Sequence, residues 1–265
     1  MRDTILSHLS GDYPWKDLLQ YYPVTGSTND MLKTLAKQGA PHGTAIVAGQ
    51  QTGGHGRMGR SFHSPEGMGI YLSILLRPGC APTELMHLTC AAAVAMCEAV
   101  EAAAGFRPGI KWTNDLVFEK RKLGGILTEL GLSSRGTVDW AIIGIGINCL
   151  QQEADFPEEI RSIAGSVNMV TGKDLSPARL AAAMLDSLYR MSETLLTEKA
   201  AILDAYRADC VTVGREISVV RGDQVRHGKA IRVDEEGALV VSYPDGSTEA
   251  VSSGEVSIRG MYGYI

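Results

Sequence analysis

The chain has 265 residues, enough for one large domain or a larger and a smaller one with a sizeable buried core. At 45% apolar and 21% charged it has ordinary globular composition, and a net charge of −5 argues against a general nucleic-acid binder, which needs a basic face to neutralise phosphates. Its cysteines, Cys80, Cys90, Cys97, Cys149 and Cys210, form no CxxC pair and fit reduced, packed thiols; with no leader-like N-terminus and no apolar run read as long enough to span a bilayer, the expectation is a cytoplasmic protein without membrane contact.

Residues 1–22 carry aromatic and apolar anchors, Tyr13, Trp15, Leu18, Leu19, Tyr21 and Tyr22, around Pro14, the pattern of a short helix running into an edge strand. Ser27 or Thr28 can cap a helix whose apolar residues Met31, Leu32, Leu35 and Ala36 recur at helical spacing until Gly39 and Pro41 stop it. A β-rich run at 44–49 then delivers the chain into residues 50–60, Gln-Gln-Thr-Gly-Gly-His-Gly-Arg-Met-Gly-Arg. Glycines at this density let a backbone wrap an anion, and the arginines add charge and paired donors; the alternative is a solvated flexible loop. Gly54-His55-Gly56-Arg57-Met58-Gly59 has the GxGxxG spacing, yet Arg60-Ser61-Phe62-His63-Ser64-Pro65 follows instead of a helix, so a dinucleotide reading fails, and a P-loop fails for lack of GK[ST].

Beyond the loop a strand is expected at 69–76, an Ala-rich helix at 82–104, two short strands within 110–118 broken at 113–115, and strands at 123–130 and 140–148 around a polar hairpin near 133–136. This alternation predicts an α+β fold with a mixed or antiparallel sheet and helices on one face. Short helical pieces at 157–170 precede a helical stretch at 176–210, whose Leu180, Met184, Leu188, Met191 and Leu195 form a core stripe. From 213 onward, runs at 216–220, 229–233, 238–241 and 249–251, with turns at 222–223, 236–237 and 245–246, read as a small barrel. The expected division is a larger domain at 1–211 and a small β domain at 212–265.

Two further stretches carry chemistry. Lys111-Trp112-Thr113-Asn114-Asp115 is followed by Lys122-Leu123-Gly124-Gly125-Ile126-Leu127, where Lys122 opens an apolar strand beside two glycines. That lysine is either the end of a polar turn or a cation that tracks a migrating negative charge. In Gly144-Ile145-Gly146-Ile147-Asn148, alternate glycines weaken a strand unless something passes close to one face, where the Asn148 amide can meet a ligand edge.

Ser27-Thr28-Asn29, Gln51-Thr52 with the glycine-arginine loop, Lys-Trp-x-Asn-Asp-Leu at 111–116, Lys-Leu-Gly-Gly-Ile-Leu at 122–127 and Gly-Ile-Gly-Ile-Asn at 144–148 occur in the order that resembles a biotin protein ligase, and the C-terminal segment resembles that family's SH3-like domain. The resemblance is to the short class of biotin–[acetyl-CoA-carboxylase] ligases, without an N-terminal DNA-binding winged helix, on a class II synthetase-like catalytic domain. It implies that biotin and ATP, with Mg²⁺ brought by the ATP and no protein ligand assigned to the metal, give biotinyl-5′-AMP, from which biotin passes to a lysine of a biotin carboxyl carrier protein or carboxylase carrier domain. By the same resemblance Lys122, Arg57 and Asp115 are catalytic. Ser27, Thr28, Asn29, Gln51, Gly54, His55, Arg57, Lys122, Gly125 and Gly144 bind biotin, and Arg57, Arg60, Phe62, Lys111, Asn114 and Asn148 bind the nucleotide. A homodimer is compatible with it; DNA is not expected as a partner. His55 stands where the family has an arginine and Thr113 where it has a proline, so one loop contact is expected to be weakened or retuned. The competing readings are a lipoate or octanoate ligase or transferase of the same superfamily, and a biotin-sensing regulator.

Overall fold

Strand alternation sorts the chain into two sheets. The computed structural model describes residues 1–258 apart from 174, 222, 253 and 254. The first sheet comprises β1 (Leu19–Thr25), β2 (Ala45–Gln51), β3 (Gly69–Leu76), β4 (Gly109–Lys111), β5 (Asp115–Phe118), β6 (Arg121–Leu132) and β7 (Val138–Asn148), in the order β1-β2-β3-β7-β6-β5-β4. β1 runs parallel to β2 and the other neighbours pair antiparallel, so the sheet is mixed, with β1 at one edge.

The helices are α1 (Arg2–Leu6), α2 (Thr28–Lys37), α3 (Leu88–Ala104), α4 (Glu158–Arg161), α5 (Val167–Thr171), α6 (Pro177–Thr194) and α7 (Lys199–Asp209). Residues 82–104 are long and apolar enough to cross a bilayer, contrary to expectation, but their first turn is a 3₁₀ helix (Pro82–Leu85) and α3 is an interior helix. It is apolar all round because sheet and helices enclose it: Ile126, Ile143, Ile145 and Ile147 on one side, α6 and α7 on the other. Burial pushes the Cys90 and Cys149 thiols up to about 12, which makes them packing groups rather than nucleophiles.

Period-two alternation sends the remaining side chains of β3 and β7 to the opposite face, where α2 packs Leu32 and Ala36 on Ile46, Leu75 and Ile142. The major helices thus share one face, as expected, and α2 is added on the other. Where α2 begins, that second face stays open, and residues of the sequence motifs gather there.

The second sheet holds β8 (Glu216–Arg221), β9 (Gln224–Val233), β10 (Leu239–Ser242), β11 (Thr248–Val251) and β12 (Glu255–Ile258), antiparallel in the order β11-β10-β9-β8-β12. The sequence pattern finds four of these strands and misses β12; Gly222 of the 222–223 turn and residues 259–265 lie outside the described residues. The apolar core runs without a break from α3 and α7 into Ile217, Val219, Ala230 and Leu239. Trp112 joins the two sheets, its backbone N–H donating to Thr212 Oγ1 at 2.8 Å and its indole N–H to the Gly237 carbonyl at 3.0 Å.

Candidate active site

Antiparallel register aligns the open face in rows. One row reads Tyr71, Gly146, Gly125 and Asp115 across β3, β7, β6 and β5, and the next reads Ser73, Gly144 and Leu127. Directly opposed residues share a face, so the glycines of two separate motifs, Gly144 and Gly146 on β7 and Gly125 on β6, form one floor without side chains. The floor is partly occupied by the protein's own groups. A Cβ on Gly144 would lie 1.9 Å from Asn29 Oδ1, and one on Gly146 would lie 2.4 Å from the Phe62 ring.

At one end of the floor is the start of α2. Ser27 is its N-cap, accepting from Asp30 N–H at 3.4 Å, and Ser27, Thr28 and Asn29 are all buried. Gln51, the last residue of β2, accepts from the Thr28 N–H (2.9 Å) and hydroxyl (3.1 Å) and sends its own NH₂ to Ser64 Oγ at 3.3 Å. Gly54 is held in this corner because a Cβ there would approach Ser64 Oγ and Gln51 Nε2 within 2.9 Å. Asn29 is fixed at both ends, its nitrogen donating to Glu129 Oε2 at 2.8 Å and its oxygen 2.5 Å from Ser73 Oγ.

At the other end are the charges. Lys122 Nζ meets Asp115 Oδ1 at 2.7 Å, and Lys111, 8% exposed, lies 4.0 Å from the other oxygen of the same carboxylate. A Cβ on Gly125 would fall 3.4 Å from Lys122 Nζ, so this glycine brings the floor to the edge of the charged group. The Lys122 backbone is pinned in turn: its N–H donates to the Ile163 carbonyl at 2.7 Å and its carbonyl accepts from Gly165 N–H at 2.9 Å. Asn148 serves that clamp. Its NH₂ donates to the Gly165 carbonyl at 2.9 Å and its oxygen accepts from Gln151 at 3.3 Å, which places Asn148 behind Lys122.

The glycine-arginine segment arches over the face. Residues Arg57–Gly59 make one 3₁₀ turn with Met58 at φ 58°, a left-handed conformation at an exposed loop tip. Arg57 Nη1 donates to Asn114 Oδ1 at 3.0 Å, and Asn114 donates to the Ile126 carbonyl at 3.0 Å. The 113–115 turn therefore anchors the loop arginine, a job for Asn114 that the motif alone does not reveal. His55 Nδ1 lies 3.2 Å from the Gly53 carbonyl and 4.0 Å from Asp30, at the N-terminus of α2. Arg60 is exposed at the far end of the loop. Phe62 lies over Gly146 with an edge-on contact to Tyr71, ring centroids 6.4 Å apart, inside the floor rather than displayed as an empty stacking platform. A cavity of about 170 Å³ adjoins Arg57, between Leu127, Thr128 and Thr113 on one side and Glu236 and Gly237 of the β9–β10 turn on the other.

Among the described residues no group of three or more His, Cys, Asp or Glu side chains is placed to hold a metal ion. What the arrangement provides is a concave apolar floor with a polar corner of amide and hydroxyl groups at one end and paired cations at the other. Such a site takes a small molecule by its polar head and brings its tail to a place where negative charge is met by lysine and arginine. Three groups that matter here, Ser73, Glu129 and Gln151, escape the motif reading. The signal for the first two is a serine inside an apolar strand and a glutamate at period two from Gly125 and Leu127.

Residues 21–148 match the Biotin/lipoate A/B protein ligase family, and residues 212–259 match the Biotin protein ligase C terminal domain. The bifunctional ligase/repressor BirA of Bacillus subtilis is 35% identical over 236 residues, covering 89% of this chain and 72% of that protein. The biotin–[acetyl-CoA-carboxylase] ligase of Mycobacterium tuberculosis is 30% identical over 262 residues, covering 97% and 93%. The structure of the biotin protein ligase from Aquifex aeolicus in complex with biotin and ATP superposes with a TM-score of 0.76 at 30% identity, covering 91% of this chain and 98% of that one. The chain belongs to the biotin protein ligases of the biotin/lipoate A/B protein ligase family.

Proposed function

We propose that this chain activates biotin with ATP and transfers it to a carrier-protein lysine. It is a biotin–protein ligase. The observation that carries the reading is the glycine floor joining the Thr28–Gln51 corner to the Lys122–Asp115–Lys111 charges. A ureido ring has two N–H donors and one carbonyl acceptor for the polar corner, and the valeric chain of biotin lies along an apolar floor until its carboxylate meets the cations.

A carboxylate is a poor acyl donor, so amide formation needs a better leaving group. In the first step the biotin carboxylate oxygen attacks the α-phosphorus of ATP, forming the mixed anhydride biotinyl-5′-AMP as pyrophosphate leaves. Two anions approach each other in that step, and Lys122, Lys111, Arg57 and Arg60 offset the repulsion; Mg²⁺ enters with ATP as part of the substrate. In the second step the carrier lysine, as free amine, attacks the acyl carbon, the amide C–N bond forms and AMP leaves. Asp115 orients that amine and takes its proton once Lys122 has turned to the phosphate. Arg57, held by Asn114, closes the loop over the adenylate and keeps water from hydrolysing it. The rest of the assignment is proposed with it: a catalytic unit at 1–211, an SH3-like C-terminal unit at 212–265, and a cytoplasmic setting.

The test is incubation with biotin, ATP, Mg²⁺ and a biotin carrier domain, read by mass spectrometry. One biotin on the carrier, dependent on ATP, is expected; biotin-independent pyrophosphate release with an unmodified carrier would overturn the reading. Lipoate is the rival substrate, but its dithiolane offers no N–H to the polar corner. A thermal shift larger with lipoate than with biotin would reverse the choice.

A further inference from the structure

Lys122 reaches the floor because its strand breaks step. Along β6, period two puts Gly125 on the floor face and Gly124 on the other, which would turn Lys122 away from the floor. The pairing with β5 slips, however. Asp115 faces Gly125 and Leu116 faces Gly124, but Val117 faces Lys122, and Leu123 is the extra residue. This bulge returns Lys122 to the face of Asp115 and Gly125, where its Nζ meets the Asp115 carboxylate at 2.7 Å.

A bulge interrupts a ladder, so the backbone groups beside it need other partners. The pairing of β7 with β6 ends where Ile147 faces Gly124, short of Lys122. Residues 163–165 take the vacated place as a parallel bridge, receiving the Lys122 N–H on the Ile163 carbonyl at 2.7 Å and giving the Gly165 N–H to the Lys122 carbonyl at 2.9 Å. Only a glycine comes this close, since a Cβ at 165 would lie 2.9 Å from Arg121 Cβ.

Counting donors orders the links behind the bridge. A carbonyl only accepts, so Asn148 turns its NH₂ to Gly165 at 2.9 Å and its oxygen to Gln151, whose NH₂ answers at 3.3 Å. The Gln151 backbone is fixed from behind by the Ser166 hydroxyl, which donates to its carbonyl at 2.6 Å, and both residues are fully buried. Gln151 Oε1 has no partner among the described residues. An apolar side chain of similar shape would bury no unpaired acceptor, so the NH₂ is what this glutamine contributes.

We infer that Gln151 is a positioning residue that acts through Asn148 and Gly165 to hold the bridge, and so keeps the bulge in register and the Lys122 ammonium on the floor. The inference rests on the reading above, in which Lys122 meets the charge of carboxylate and phosphate. Gln151 lies away from the Thr28–Gln51 corner, so its loss should slacken the placement of Lys122 during adenylate formation and leave the hold on the ring of biotin intact.

In the full-length protein, Gln151→Met keeps the length and removes the donor. Its kcat for biotin-dependent pyrophosphate release should fall about tenfold, the scale of one hydrogen bond expressed in the barrier, while KM for biotin stays within about twofold. Its Tm should stay within about 2 °C, because one hydrogen bond and one unpaired acceptor leave together. In a Lys122→Ala background the same change should add less than about a twofold loss, since Gln151 acts only through Lys122. Gln151→Glu carries the test if Gln151→Met does not fold. A carboxylic acid can donate to the Asn148 oxygen and a carboxylate cannot, so kcat of this variant should fall with rising pH where that of the unsubstituted protein is level. Unchanged kcat in Gln151→Met, equal losses with and without Lys122, a rise in KM for ATP with kcat kept, or a level pH profile in Gln151→Glu would overturn the inference. Absence of ATP- and biotin-dependent pyrophosphate release in the unsubstituted protein would instead overturn the reading on which it stands.

Discussion

Gly144→Ala isolates the tightest contact in the site. The new Cβ would sit 1.9 Å from Asn29 Oδ1, where ordinary contact begins near 3.4 Å, so the carboxamide must retreat by about 1.5 Å. It cannot do so and keep Ser73 at 2.5 Å and Glu129 at 2.8 Å. Losing one neutral hydrogen bond and one to a carboxylate costs about 2.5–4 kcal/mol. Gly144 has no left-handed backbone requirement, so the reduced entropy of the unfolded alanine chain returns about 0.4–1 kcal/mol. The net loss of about 2–3 kcal/mol corresponds to a fall of roughly 4–12 °C in Tm for a chain of this size, read by thermal unfolding. The same substitution in an Asn29→Ala background should cost little, because the obstructing group is gone. Equal losses in the two backgrounds would show that the Asn29 contact is not what makes Gly144 necessary.

Other substitutions test the charged end and the loop. Lys122→Ala should lower biotin-dependent pyrophosphate release by about 10²–10³-fold. Its Tm should fall by little, since a partly exposed pair contributes about 1 kcal/mol at most and Asp115 keeps Lys111 within 4.0 Å. Arg57→Ala frees the loop from Asn114 and should let adenylate escape, seen as biotin on non-target lysines of a bystander protein; unchanged selectivity would count against the clamp. His55→Arg places a permanent cation and a two-pronged donor near Asp30 and should tighten biotin binding, whereas weaker binding would give the histidine a function of its own. His87 is buried and burial holds its proton affinity below the ordinary value of 6.5. Below that pH the unfolded chain binds more protons than the folded one, so stability present above 6.5 is lost on acidification; His87→Gln should flatten the fall in Tm between about pH 6.5 and 5.

Groups lying within one continuous stretch are legible in the amino-acid sequence. Ser27 as a helix cap and strand 69–76 follow from local patterns, while Lys111, Asp115 and Lys122 are singled out one by one and their ion pairing is not. What register assembles is not legible there. Ser73 and Asn29 are 44 positions apart and Asn29 and Glu129 are 100 apart, and only the alignment of β3, β7 and β6 under α2 brings them together. The segment at 163–165, which the sequence pattern shows only as part of some short helical pieces, bridges the Lys122 backbone. Motif reading also does not show that the amides of Asn114 and Asn148 bond within the protein, to Arg57, Gly165 and Gln151. β12 carries too short a run to stand out from the polar sequence around it.

Trp112 bears on how the two sheets communicate. It is tied at the backbone to Thr212 and at the indole to Gly237, while the residues two and three further on hold Arg57 and Lys122. A displacement of the loop around Gly237 is therefore transmitted over three residues to both halves of the chemistry, without touching either substrate. Substitutions buried between the sheets would then register as kinetic lesions, and a variant surveyed only for ligand contacts would be misjudged as neutral.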